Sequence, residues 1–187
     1  YDPDMDQLLF YLPLSGSAFK KTYYDAVLQR PVSKFVSSED CVINYMASSL
    51  EDAVRITHTT KVDDNALRKQ QVSGFYRDIP ITSGSVSTSD VEDKVDELHG
   101  VSDNLASDDD EHVLLEMHVD ADVAGFEDPT GIKLPYVITI DQFSTKILSI
   151  KRNWNENDTF KKRIDYFTHY KFLPGLGFYG FGLIHML

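Results

Sequence analysis

The sequence predicts an α+β fold, mainly antiparallel sheet with a few short helices. Three observations point there. Ser17–Asp25 alternates aromatic and polar positions, Val54–Thr60 is rich in β-branched residues, and within residues 1–81 clear helix-cap signals surround a single run, opened by Asp63 or Asp64 and closed by Gly74. Alternation and β-branching suit a pleated surface, whereas capping residues mark the ends of a helix.

Composition divides the chain into three blocks, 1–81, 82–111 and 112–187. In the first, Ser17–Asp25 is followed after a turn by Arg30–Val36, a meander, so sheet is expected before helix. Ser49 with Asp52 suits a capped turn, and Val54–Thr60 is the next strand. The helix that follows, Asn65–Val72, has too few apolar positions for a core helix and is expected on the surface. The middle block opens with Thr82-Ser-Gly-Ser and is too polar to bury. Ten carboxylates between Asp90 and Glu111 face only Lys94, so this block holds nine of the twelve net negative charges. A disordered or mobile acidic insertion is expected there. Within it, Ser89 can cap a short helix whose Val91, Val95 and Leu98 recur at helical spacing up to Gly100. In the third block, His112–Asp120 and Leu134–Asp141 read as strands, Asp141–Thr145 as a turn and Lys146–Asn153 as the returning strand. Asp165–Phe172 adds another strand, Pro174–Gly177 ends it, and a helix is expected to begin at Phe178.

With 18 Lys plus Arg against 30 Asp plus Glu, a sequence-independent nucleic-acid binder is not expected, because such a protein needs surplus cations for phosphate. A chain of 187 residues suits one domain, or one and a fragment, with a real core. The lone Cys41 has no internal disulfide partner and excludes zinc ribbons; a reducing compartment is expected. No apolar run approaches the ~18 residues of a membrane helix, so no membrane partner is expected. The chain opens on Tyr1-Asp-Pro-Asp and stops within the apolar run from Phe178, as expected of a segment of a larger protein.

Few residues suggest chemistry. In a strand from His112, alternate residues share a face, so His112, Glu116 and His118 could converge on a metal as two imidazoles and a carboxylate. Leu114 shares that face, and ordinary strand burial is the favoured reading. Asp120–Asp128 has the alternating acids of a calcium loop but places Gly131 where the distal Glu belongs. Ser15-Gly16-Ser17 lacks a nucleophile elbow, and Cys41 has no identifiable His partner. Gly175, Gly177 and Gly180 suggest tight backbone packing with a positive φ somewhere among them, not a phosphate loop. Basic residues from Lys146 to Arg163 read as a solvated hairpin rim. No catalytic, cofactor-binding or metal-ligating residue is assigned.

Four blocks, Asp2–Lys21, Arg55–His58 with Gln71–Asp78, Gly125–Tyr136 and His169–His185, resemble portal proteins of tailed bacteriophages, particularly those of short-tailed phages. The likeness covers nearly the whole chain except the acidic insertion, and the last block is its most specific part. It implies a portal wing region, leading at its end toward the rest of the subunit, without the stem, clip and crown of complete portals. It also implies a homo-oligomeric ring, usually dodecameric, at one capsid vertex of the virion, made in the host cytoplasm. The parent protein would meet the capsid, the terminase and tail or connector proteins. Double-stranded DNA would pass through the channel during packaging and ejection without sequence-specific binding. The role is structural and not enzymatic, with no cofactor. Two rival readings are a metal-dependent enzyme using His112, Glu116 and His118, and a phage tail or adhesin-like binding module. Candidate core or interface positions are Phe10, Leu12, Phe19, Phe75, Tyr76, Tyr136, Ile138, Ile140, Phe172, Phe178 and Tyr179.

Overall fold

The computed structural model describes residues 2–25, 28–82 and 111–186. The acidic insertion, apart from its two end residues, and the helix expected between Ser89 and Gly100 lie outside the described residues. The fold is α+β and mainly antiparallel, as the alternation and β-branching require. A three-stranded sheet has the order β2-β1-β8, with β1 at Ser17–Asp25, β2 at Arg30–Val36 and β8 at Phe167–Lys171. A five-stranded sheet has the order β3-β4-β5-β6-β7. Its strands are Cys41–Ile43, Arg55–Asp63, Glu111–Ala121, Leu134–Asp141 and Ile147–Arg152.

Sheet does not come first. Helix α1 spans Pro3–Ser15 and precedes β1. Its signals are local: the Asp2 side chain accepts from Asp4 N–H, Pro3 occupies the first turn, and Gly16 ends the helix in the left-handed region at φ 82°. Proline at the start and glycine just past the end are the asymmetry expected of helices. Pro13 inside the last turn disguises this pattern. The same acids tie the helix down, since Lys20 Nζ donates to Asp2 Oδ2 at 3.2 Å and Asp4 Oδ1 accepts from Phe35 N–H at 3.1 Å. The second contact satisfies a donor on the edge strand β2.

The chain forms two compact units. The first gathers the described residues up to His58, Met117–Val137 and those from Lys151 onward. Its core is Phe19, Val36, Cys41, Ala47, Ala53, Ile56, Phe167 and Phe178. β1 is its central strand, pairing with β2 through Phe19↔Val36 and with β8 through Ser17↔Lys171. The second unit holds the described residues of Thr59–Glu116 with Ile138–Ile150. Its smaller core is Leu67, Leu114 and Leu148, with Val62, Tyr76, Ile79 and Ile81 packed against it. Helix α2, Asp64–Val72, is capped by Asp63, whose carboxylate accepts from Ala66 N–H, and is followed by Gly74 at φ 76°. It lies on the surface apart from Leu67 and Gln71, whose side-chain amide donates to Ile79 O. Asp141–Thr145 forms the expected turn, closed by Asp141 N–H donating to Lys146 O.

The tail differs from expectation. Phe178 onward forms no α-helix; Leu173 and Phe181 instead exchange backbone hydrogen bonds of 3.2 and 2.9 Å, and only Leu183–His185 coils, as a 3-10 turn. Turning back in this way buries Phe178 in the first core, and Gly180 and Gly182 weaken the competing helix. The expected positive φ among Gly175, Gly177 and Gly180 is likewise absent: it falls on Gly16, Gly74, Gly125 and Gly131. Close approach explains the tail glycines better. A Cβ at Gly180 would lie 2.7 Å from Leu173 O, and one at Gly182 2.6 Å from Gly16 N, while Gly177 has open space. Of the candidate packing residues, Phe19, Tyr136 and Phe178 are buried. Leu12, Tyr76, Ile138 and Ile140 are half-buried, and Phe10, Phe75, Phe172 and Tyr179 are exposed outside either core.

Gly182→Ala is expected to destabilise the first unit by about 1–3 kcal/mol, because backbone must move to admit the methyl group. Gly177→Ala should fall within about 0.5 kcal/mol of the parent. Paired urea melts check both; equal midpoints for the two variants would contradict the close-packing account.

Candidate functional site

His112, Leu114 and His118 share one face of β5, as period two requires, but that face is core. In the second unit, His112 lies between two carboxylates: Nε2 is 3.3 Å from Asp64 Oδ1 and Nδ1 is 3.6 Å from Asp141 Oδ1. In the first, the His118 ring packs against Tyr166 and Phe167, with centroids 5.2 Å from each. Glu116 sits near Tyr76, where its charge adds to burial in pushing the phenol up to about 12. Each of the three residues has separate structural surroundings. Among the described residues no three His, Cys, Asp or Glu side chains are placed to share a metal ion.

Three of the six cations in the basic stretch meet an acidic partner close by. Lys161 pairs with Asp128, Arg152 with Glu156 at 3.0 Å, and Arg163 with Asp165 at 3.2 Å. The Arg163 guanidinium also donates to Ala53 O and Leu50 O, so it holds a loop more than it offers charge. Asp128, the last acid of the loop that resembled a calcium site, accepts from Thr130 N–H and Oγ1 as well as from Lys161. These contacts, Lys161 foremost, hold its carboxyl well below the usual range. An open cleft of about 430 Å³ is lined by Glu51, Asp52, Asp120, Lys162, Arg163 and Asp165 among others. Asp52 caps the turn there, accepting from Ser49 as the sequence predicts and also from Ser48.

Neither candidate nucleophile is poised for chemistry. Burial, helped by Asp40, pushes the buried Cys41 thiol up to about 12, far from the thiolate that a nucleophile needs. Ser15 Oγ donates within its own turn. Ser17 does meet a histidine, His169 Nε2 at 3.1 Å, a pairing that sequence reasoning missed because it depends on β1 lying beside β8. Yet Ser17 is buried, its oxygen accepts from Gly180 N–H at 2.8 Å, and the His169 ring stacks on Phe19 and Phe178 at 4.5 and 4.6 Å. This pair is a packing joint.

Several large apolar side chains near the two ends of the first unit are exposed. Leu9, Phe10 and Leu14 on α1 are exposed, Phe10 by 68%. Helix α1 packs against the turn Leu183–His185, where Ile184 is 67% exposed, and Met186 follows it exposed. At the bend before Phe178, Leu176 is fully exposed. Exposed apolar side chains on two elements that pack against each other, as α1 and the turn Leu183–His185 do, are candidates for a contact surface. No protein-family model and no curated protein matches this chain.

His169 sets a pH expectation. Burial foremost, then Lys171, pulls its imidazole from 6.5 down to about 4. The unfolded chain therefore binds a proton between those values that the folded chain refuses. This contribution is complete above 6.5 and lost as pH falls toward 4. Between pH 7.5 and 5 the chain should lose about 1 kcal/mol through this residue, discounted for partial exposure, and His169→Gln should abolish that part of the loss. Urea melts of both proteins at the two pH values measure the difference; identical losses would refute it.

Proposed function

We propose that the chain is the wing region of a short-tailed phage portal protein, a structural part of a ring subunit that conducts double-stranded DNA through one capsid vertex. One observation carries the reading beyond the sequence likeness. The first and last of the resembling blocks, Asp2–Lys21 and His169–His185, fold onto one another through β1 and β8, and they bear the exposed Leu9, Phe10, Leu176 and Ile184. A subunit of a closed ring needs two different surfaces for its two neighbours, and exposed apolar groups are what such contacts cover. The local pairing of Arg152, Lys161 and Arg163 also suits a conduit, where DNA must slide and not be gripped. In this reading the capsid, terminase and tail or connector proteins are partners of the parent protein, and the chain is not an enzyme.

The test is the assembly mass of the full-length parent, by light scattering and negative-stain imaging. A large closed ring is expected; a parent that stays monomeric across a wide concentration range would overturn the proposal. Phe10→Ser and Ile184→Ser in the parent should leave folding stability within about 0.5 kcal/mol, as exposed positions do, while lowering the assembled fraction. Unchanged assembly in both variants would remove the apolar surface from the argument.

A further inference from the structure

We propose that His112 is a proton-dependent latch that joins the first turn of α2 to the turn between β6 and β7. Its side chain is 1% exposed and that of Asp141 is fully buried. Asp141 Oδ2 accepts from Ser144 N–H and Oγ at 2.7 and 2.5 Å, whereas its Oδ1 and His112 Nδ1 are buried with no hydrogen-bond partner. These two atoms face each other at 3.6 Å, and His112 Nε2 faces Asp64 Oδ1, the carboxylate at the start of α2, at 3.3 Å. A neutral imidazole has one N–H and must turn a lone pair toward one of the two carboxylates; only the imidazolium presents a donor to both. One proton therefore decides whether both attachments hold. Among the described residues the charged groups facing the ring are Asp64 from α2 and Asp141 from the end of β6. Lys146, whose carbonyl accepts from Asp141 N–H, places its ammonium on Pro80 O and does not compete. The latch sits at the second residue of β5, so loosening it frees the start of that strand together with α2.

The experiment follows amide hydrogen exchange in the whole chain from pH 5.5 to 8, with rates corrected for intrinsic exchange. Protection of the α2 amides should fall about three-fold over that interval, the modest effect expected because Asp64 is itself exposed. Asp64→Asn alters only the exposed partner and should make α2 protection independent of pH. His112→Gln should remove the dependence at both α2 and the Asp141–Thr145 turn. Because the buried variant can fail to fold, Asp64→Asn decides alone: an equal pH response in it and the parent, or no response in the parent, overturns the latch.

Discussion

The hydroxyl of Ser17 holds together two ends of the first unit. It accepts from Gly180 N–H and faces His169 Nε2, at the point where α1 has ended at Gly16 and β1 begins. A larger side chain would separate the tail from β1, and an apolar one would leave the buried Gly180 N–H without a partner, at a cost of about 1–3 kcal/mol. The close approaches of Gly16, Gly180 and Gly182 follow from this contact, because the tail must lie against the strand for the hydrogen bond to form. The aromatic stack of Phe19, His169 and Phe178 then fills the space beneath it.

Carboxylates do most of the local tying elsewhere. Asp2 and Asp4 fasten α1, Asp52 caps a turn through Ser48 and Ser49, Asp63 caps α2, and Asp141 closes a hairpin turn through Ser144. Asp128 and Asp165 hold the cations nearest them. An acidic chain of this kind uses much of its charge as hydrogen-bond acceptor for backbone donors at element ends, where short polar side chains are favoured. The charge that composition reveals is therefore weak evidence about ligands. It becomes informative only where a carboxylate lacks a donor, and Asp141 Oδ1 is such an atom.

The candidate site was legible only in part. Alternation along His112–His118 correctly put His112, Leu114 and His118 on one face, yet periodicity does not say whether a face meets solvent or core. The meeting of His112 with Asp64 and Asp141 joins residues 48 and 29 positions apart, and no local pattern records it. The partner of Ser17 lies still further along the chain. The exposure of Phe10, Phe75, Phe172 and Tyr179 was hidden for the same reason: an aromatic residue reads as core in sequence whether the surface covering it belongs to its own chain or to another.

The sequence by itself determined every strand segment except the short β3 at Cys41–Ile43, which its pairing with β4 defines, and also the Asp141–Thr145 turn, the capped helix α2 and the capped turn at Ser49, since each of these depends on residues within a few positions of one another. It also held the signals of α1, in Asp2, Pro3 and Gly16, although Pro13 and the neighbouring aromatics obscured them. Only the tertiary structure decided that β1 lies between β2 and β8, that the tail turns back to bury Phe178 in place of coiling, and that His112 stands between two carboxylates. Pairing over such separations is chosen by which apolar faces can be buried together at close-packed density, a property of the assembled cores and not of any one segment.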